Sequence, residues 1–250
     1  MPFRRHPFSF SEKIEHLINT DTFPSVRYTI SMRFVKANQQ AAEDDITRAL
    51  VGLLEANSKA LWLVSGGSNI AIQTDVMKRI PDDLSAKLVI TPMDERFGPF
   101  GHTNSNSAQL RLAGFNPKKG QFIDILRGAS SGGQAAEQLI AALKGEHAII
   151  ATFGIGTDGH TAGILPGSQA ITANEPVICY KAADYTRITI TPGFMPQINI
   201  AFACAFGPAK TPAIERLAAG KASITDTPAI VLANIHECTI YNDTVEQEDK

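Results

Sequence analysis

Residues 146–168 read EHAIIATFGIGTDGHTAGILPGS. Positions 147–153 form an apolar, β-branched run with the length and composition of a strand buried in a parallel sheet. Gly154, Gly156 and Gly159 follow, and among them Asp158 stands two residues before His160. Glycine lets the backbone turn tightly and lets a ligand approach the main chain. Ligands of open α/β sheets bind beyond the carboxyl ends of the strands, so a turn that carries an acid and an imidazole there is a candidate site. The same residues satisfy G-x-G-x-x-G, the dinucleotide fingerprint. That motif needs a long helix from its third glycine, and Pro166, seven residues further on, would interrupt one.

The segments around this stretch alternate strand and helix. Residues 27–34 alternate apolar and polar as a strand does, and 36–55 carry Ile46, Leu50 and Leu53 at helical spacing. Ala60–Val64, ALWLV, is an apolar strand that breaks at Ser65-Gly66-Gly67-Ser68-Asn69 before a helical run over 70–79. Strand, glycine turn and helix make an anion site, because unpaired N–H groups and the positive helix end point outward together. A tight turn with an N-cap is the plainer reading. The turn lacks the Lys-Ser/Thr ending of a nucleoside-triphosphate loop. Residues 88–93 read as a strand, ending in Asp94-Glu95-Arg96 and a loop rich in glycine and proline; these charges are either a surface ion pair or part of a site.

Helices are expected at 106–112 and 132–143, with a strand at 122–126 between them. Strands follow at 176–180, 187–191 and 199–206, then Gly207-Pro208-Ala209-Lys210 leading into a helix at 211–219. A lysine beside a helix N-terminus is unfavourable unless an anion is shared there. Strands at 229–233 and 237–241 are expected to finish the sheet. The alternation predicts an α/β fold with a mostly parallel sheet flanked by helices. Residues 1–25 read as an arm with a short helix, and 26–245 as a single α/β domain.

With 250 residues, 44% of them apolar and 19% charged, the composition is that of an ordinary globular chain long enough to bury its own core. A net charge of -2 offers no footprint for nucleic acid or anionic membrane, which points to a small-molecule partner. Cys179, Cys204 and Cys238 each lie in an apolar run without metal-ligand spacing and read as buried thiols of a reducing compartment. There is no signal-like apolar stretch and no span-length run, so a cytoplasmic protein is expected.

Four ordered motifs carry a resemblance to the 6-phosphogluconolactonase family and, more distantly, to glucosamine-6-phosphate deaminases, which share a modified Rossmann-like α/β fold. They are Ser65-Gly66-Gly67-Ser68-Asn69, then Asp94-Glu95-Arg96 with Asn104-Ser105-Asn106, then Gly154 to Pro166, and last Arg187-Ile188-Thr189-Ile190-Thr191 with Gly207-Pro208-Ala209-Lys210. The deaminases resemble this chain less, because Arg96 stands where they carry tyrosine and Leu165 where they carry glutamate. Asn69, Gly98, Gly163 and Leu165 depart from the lactonase pattern.

The resemblance implies hydrolysis of 6-phospho-D-glucono-1,5-lactone, with a deaminase or a catalytically weak sugar-phosphate-binding protein as the alternatives. Lactone hydrolysis needs an activated water and donors for the oxyanion, and in principle neither metal nor cofactor. Imidazole is the side chain that titrates nearest neutral pH, which makes His160 the candidate base with Asp158 to orient it. A phosphate dianion calls for cations beside N–H groups: Ser65, Gly66, Gly67 and Ser68 with Arg187 and Lys210. Arg96 is a further candidate for the phosphate or the lactone, and Asp94, Glu95, Asn106 and Gly156 are possible members of the site. A serine hydrolase would require a G-x-S-x-G elbow, which the chain lacks. A monomer or a small homo-oligomer is expected.

Overall fold

A computed structural model describes residues 32–57, 59–145 and 148–246. The arm at 1–25, its short helix and residues 27–31 of the strand expected at 27–34 lie outside the described residues. The strands are β1 (Met32–Lys36), β2 (Ala60–Val64), β3 (Leu88–Pro92), β4 (Asp94–Arg96), β5 (Gln121–Phe122), β6 (Ala148–Gly154), β7 (Val177–Lys181), β8 (Thr186–Ile190), β9 (Ile200–Ala205) and β10 (Glu237–Asn242). The helices are α1 (Gln39–Ala56), α2 (Ile70–Arg79), α3 (Asp82–Ser85), α4 (Asn106–Leu112), α5 (Gly132–Leu143) and α6 (Thr211–Ala218).

Seven strands form one sheet in the order β1-β10-β9-β6-β2-β3-β5, and every pairing in it is parallel. Alternation along β2 sends Leu61 and Leu63 to one face and Trp62 and Val64 to the other, so each face owns a core. Ile46, Leu50 and Leu54 of α1 and Ile72 and Val76 of α2 cover the second face. On the first face lie Leu139 of α5 and Ile214 and Leu217 of α6. Burying both faces explains why the central strands read as unbroken apolar runs. From β2 the chain runs outward to β3 and β5, then returns to β6 on the other side. The β2–β6 boundary is therefore the switch point beyond whose carboxyl ends a crevice opens.

Three expectations are corrected. The charges Asp94-Glu95-Arg96, read as the end of the strand at 88–93, form a strand of their own, β4, which pairs antiparallel with β8 in a second sheet of order β4-β8-β7. The strand expected at 122–126 pairs only through Gln121–Phe122; beyond it Asp124 turns the chain by accepting the Leu126 N–H (3.1 Å). The strand expected at 229–233 is a 3-10 helix, Pro228–Asn234. Pro228 fixes a helix-compatible φ and has no N–H to give a sheet, and Ala229 donates its own to the Gly159 carbonyl (2.9 Å). Among the described residues no helix is long and apolar enough to cross a membrane.

Candidate active site

A cleft of about 310 Å³ opens beyond the carboxyl ends of β9, β6, β2 and β3. Parallel neighbours end together, so turns far apart in sequence face each other across it. Ser65 to Ser68 follow β2, Gly154 to Thr157 and His160 come from the end of β6 and its turn, Lys210 from the turn after β9, and Asp94 from the chain leaving β3. The second sheet supplies the remaining wall. In its register Arg96 lies directly opposite Arg187, and side chains two apart on a strand share a face, so Asp94, Arg96 and Arg187 all reach the cleft.

The β6 turn holds its imidazole by a short loop. The Gly156 N–H donates to the His160 carbonyl (2.8 Å) and the Gly159 N–H to the Gly156 carbonyl (3.0 Å). Asp158 Oδ1 lies 2.6 Å from His160 Nδ1 and accepts the His160 backbone N–H at 3.1 Å. Burial works against the Asp158 charge, but the bonds from His160 outweigh it and hold the carboxyl below the usual aspartate range. An ionised Asp158 can only accept here, so Nδ1–H donates the hydrogen bond and the Nε2 lone pair is left for the cleft. Position 156 must be glycine for this arrangement, since a Cβ there would stand 2.1 Å from His160 Nδ1 and 2.6 Å from Asp158 Oδ1. Asp158 itself is not a cleft wall; it acts on the cleft through His160.

The β2 turn is braced from below by Gln73, which accepts the Ser65 N–H (2.8 Å) and donates to its carbonyl (2.7 Å). Ser65 borders the cleft, and its hydroxyl is buried with no hydrogen-bond partner among the described residues. Lys210 Nζ donates to Ser68 Oγ at 2.9 Å, which joins the β9 and β2 turns into one cationic corner. Burial lowers the Lys210 pKa, with Cys204 and Asp243 opposing it. A partly desolvated ammonium binds an anion more strongly than one in water. Gly66 packs so closely on Asn106 that a Cβ would stand 2.0 Å from its Oδ1.

Asn106 in turn donates to the Asp94 carbonyl (2.8 Å) and accepts from Arg96 Nη1 (3.2 Å), while Arg96 also donates to the Asn104 carbonyl (2.9 Å). Asp94 is 6% exposed. Burial raises its pKa, and Arg96, Arg187 and His160 pull it back. Glu95 is the one sequence-selected residue that faces away from the cleft, because it alternates with its two neighbours on β4. Its carboxylate accepts the Arg96, Asn106 and Ser107 N–H groups (2.8, 2.7 and 3.0 Å) and the Ser105 hydroxyl (3.0 Å), and so caps α4. Burial pushes its pKa up against these bonds.

Apart from Glu95 and Asp158, the residues selected from the sequence lie on the cleft: Ser65, Gly66, Gly67, Ser68, Asp94, Arg96, Asn106, Gly156, His160, Arg187 and Lys210. The departures at Asn69 and Gly163 fall outside its walls. Asn69 donates to the Phe153 carbonyl and ties the β2 turn to β6. Gly163 donates to Thr189 Oγ1 (2.9 Å) and accepts from the Tyr180 hydroxyl (2.7 Å). Sequence reading did not select Gly154, Ile155, Thr157 and Ala162 as walls or Asp184 as the partner of Arg187. Thr157 and Ala162 flank the selected histidine turn, whereas Asp184 has no sequence signal beyond lying three residues before a candidate arginine.

Residues 35–241 match the sequence family of glucosamine-6-phosphate isomerases and 6-phosphogluconolactonase. A 6-phosphogluconolactonase of Rhizobium meliloti is 32% identical over 168 residues, which are 61% of this chain and 70% of the relative. One from Pseudomonas aeruginosa is 29% identical over 134 residues; the match spans 51% of this chain and only 55% of that relative. Among solved structures, a 6-phosphogluconolactonase from Shewanella baltica superposes with a TM-score of 0.71 at 20% identity, covering 85% of this chain and 98% of that one. That likeness shows a shared fold.

Proposed function

The chain belongs to the glucosamine-6-phosphate isomerase/6-phosphogluconolactonase family, and from that premise we propose that it hydrolyses 6-phospho-D-glucono-1,5-lactone to 6-phosphogluconate, a step of the oxidative pentose phosphate pathway. The observation that carries this reading is the pairing, across one cleft, of an aspartate-oriented histidine with a cationic glycine turn. The names of the relatives support the choice of lactone.

In this mechanism His160 Nε2 takes a proton from water as the oxygen attacks the lactone carbonyl. Asp158 stabilises the imidazolium that forms. The tetrahedral oxyanion then collapses, the bond from the carbonyl carbon to the ring oxygen breaks, and the leaving oxygen takes a proton back from His160. The phosphate sits on the β2 turn against Ser65, Gly66, Gly67, Ser68 and Lys210, with Arg187 on the facing wall. Arg96 lies between that arginine and Asn106, placed to meet the lactone oxygens.

Purified protein is expected to accelerate hydrolysis of the phosphorylated lactone above the spontaneous rate and to release no ammonia from glucosamine 6-phosphate. Ammonia release without lactone hydrolysis would reverse the assignment in favour of the deaminase relatives. The phosphate placement has its own test. Lys210→Ala and Arg187→Ala should each raise KM for the phosphorylated lactone by the equivalent of about 1.5–3 kcal/mol, the loss of one charge-assisted hydrogen bond. Hydrolysis of unphosphorylated gluconolactone should be slow in the parent and nearly indifferent to both changes. Equal losses on the two substrates would make the cations structural.

A further inference from the structure

Arg187 meets the cleft with one edge already occupied. Its side chain is only 10% exposed, and Asp184, which is 48% exposed and not a cleft wall, takes it at two points: Nη2 to Oδ2 at 2.7 Å and Nε to Oδ1 at 3.3 Å. Asp184 is itself fixed, since Oδ1 accepts the Tyr185 N–H at 2.9 Å within the turn between β7 and β8. The other charged or titratable groups that act on Arg187 are Asp94 and Tyr180. A guanidinium has five donors in a rigid plane, and a carboxylate on the Nε–Nη2 edge leaves the Nη1 side for another acceptor.

We propose that Asp184 is a positioning residue that holds the Nε–Nη2 edge of Arg187 and thereby presents its Nη1 side to the anionic group of the substrate. This rests on the phosphate role given to Arg187 above. An ion pair with an exposed partner adds little to folding stability, so its effect belongs in ligand binding. Without Asp184 the long side chain would have to be ordered by the substrate itself, and that entropy would weaken binding. The opposite possibility is that Asp184 merely competes with the substrate for the arginine. Removing it would then tighten anion binding, so the sign of the effect separates the two.

The test compares the parent with Asp184→Ala and Asp184→Asn in two assays: calorimetric affinity for inorganic phosphate and for 6-phosphogluconate, and KM and kcat on the phosphorylated lactone. Asp184→Ala should weaken both affinities and raise KM by about tenfold with kcat unchanged. Asp184→Asn, which offers one acceptor where the carboxylate offers two, should fall between alanine and parent. Hydrolysis of unphosphorylated gluconolactone should not move. Tighter or unchanged anion binding in the variants, or a fall in kcat at constant KM, would overturn the proposal. If the alanine variant does not fold, the asparagine variant decides by the same criteria. The binding assay also keeps the two readings apart: a parent that binds phosphate but opens no lactone sinks the reaction and leaves the role of Asp184 to be judged on affinity.

Discussion

His160→Ala is expected to lower kcat on the phosphorylated lactone by about 10²–10⁴, the usual contribution of a positioned general base, while KM changes little. The expectation rests on the bond of 2.6 Å that commits Nδ1 to Asp158 and leaves Nε2 for water, and on the place of His160 among the cleft walls. Substrate affinity should persist because Lys210, Ser68 and Arg187 belong to other strand ends. His160→Gln retains hydrogen bonding without basicity and should be nearly as slow. Lactones also open spontaneously, faster as hydroxide rises, so each rate has to be corrected with a buffer blank at the same pH. A variant that kept the parental kcat after this correction would transfer the base role to Asp94, a buried carboxyl on the same cleft.

Glu95→Ala should destabilise the protein by about 3–5 kcal/mol, because three backbone N–H groups and one hydroxyl would lose their acceptor in a buried place. Glu95 is 0% exposed and every one of those donors lies in β4 or at the start of α4. The readout is the urea midpoint at constant m-value. A smaller shift is expected for Glu95→Gln, whose remaining oxygen still accepts while its amide nitrogen faces donors. An unchanged midpoint in the alanine variant would show that the cap at α4 is dispensable. In whatever fraction of the alanine variant remains folded, activity should also fall, since Asn106 and Arg96 take their places in the cleft from this cap.

The strands of the main sheet were legible because burial on both faces leaves a continuous apolar run, as in ALWLV of β2 and the run that becomes β6. The helices were legible from their spacing: 106–112 and 132–143 coincide with α4 and α5. Segments whose pairing is not local were less so. Residues 94–96 have the charge of a loop and become a strand only because β8 lies alongside them. Residues 229–233 have the composition of a strand, and become a 3-10 helix because Pro228 starts it and the Gly159 turn accepts its first N–H.

The sequence by itself determined the alternation of strand and helix, the parallel sheet, the glycine turns after the central strands and the chemical types gathered on them. These follow from patterns within a few residues, where periodicity and backbone freedom act directly on the chain. Only the tertiary structure decided which of those groups share one cleft and which way each one points. Strand order brought Lys210 onto Ser68, 142 positions apart. The pleat of β4 turned Asp94 and Arg96 toward the cleft and Glu95 away from it, and the β8 register set Arg187 beside Arg96 with Asp184 on its Nε–Nη2 edge. A face, a register and a contact between distant turns depend on which strands become neighbours, and that is set by packing the whole chain at once.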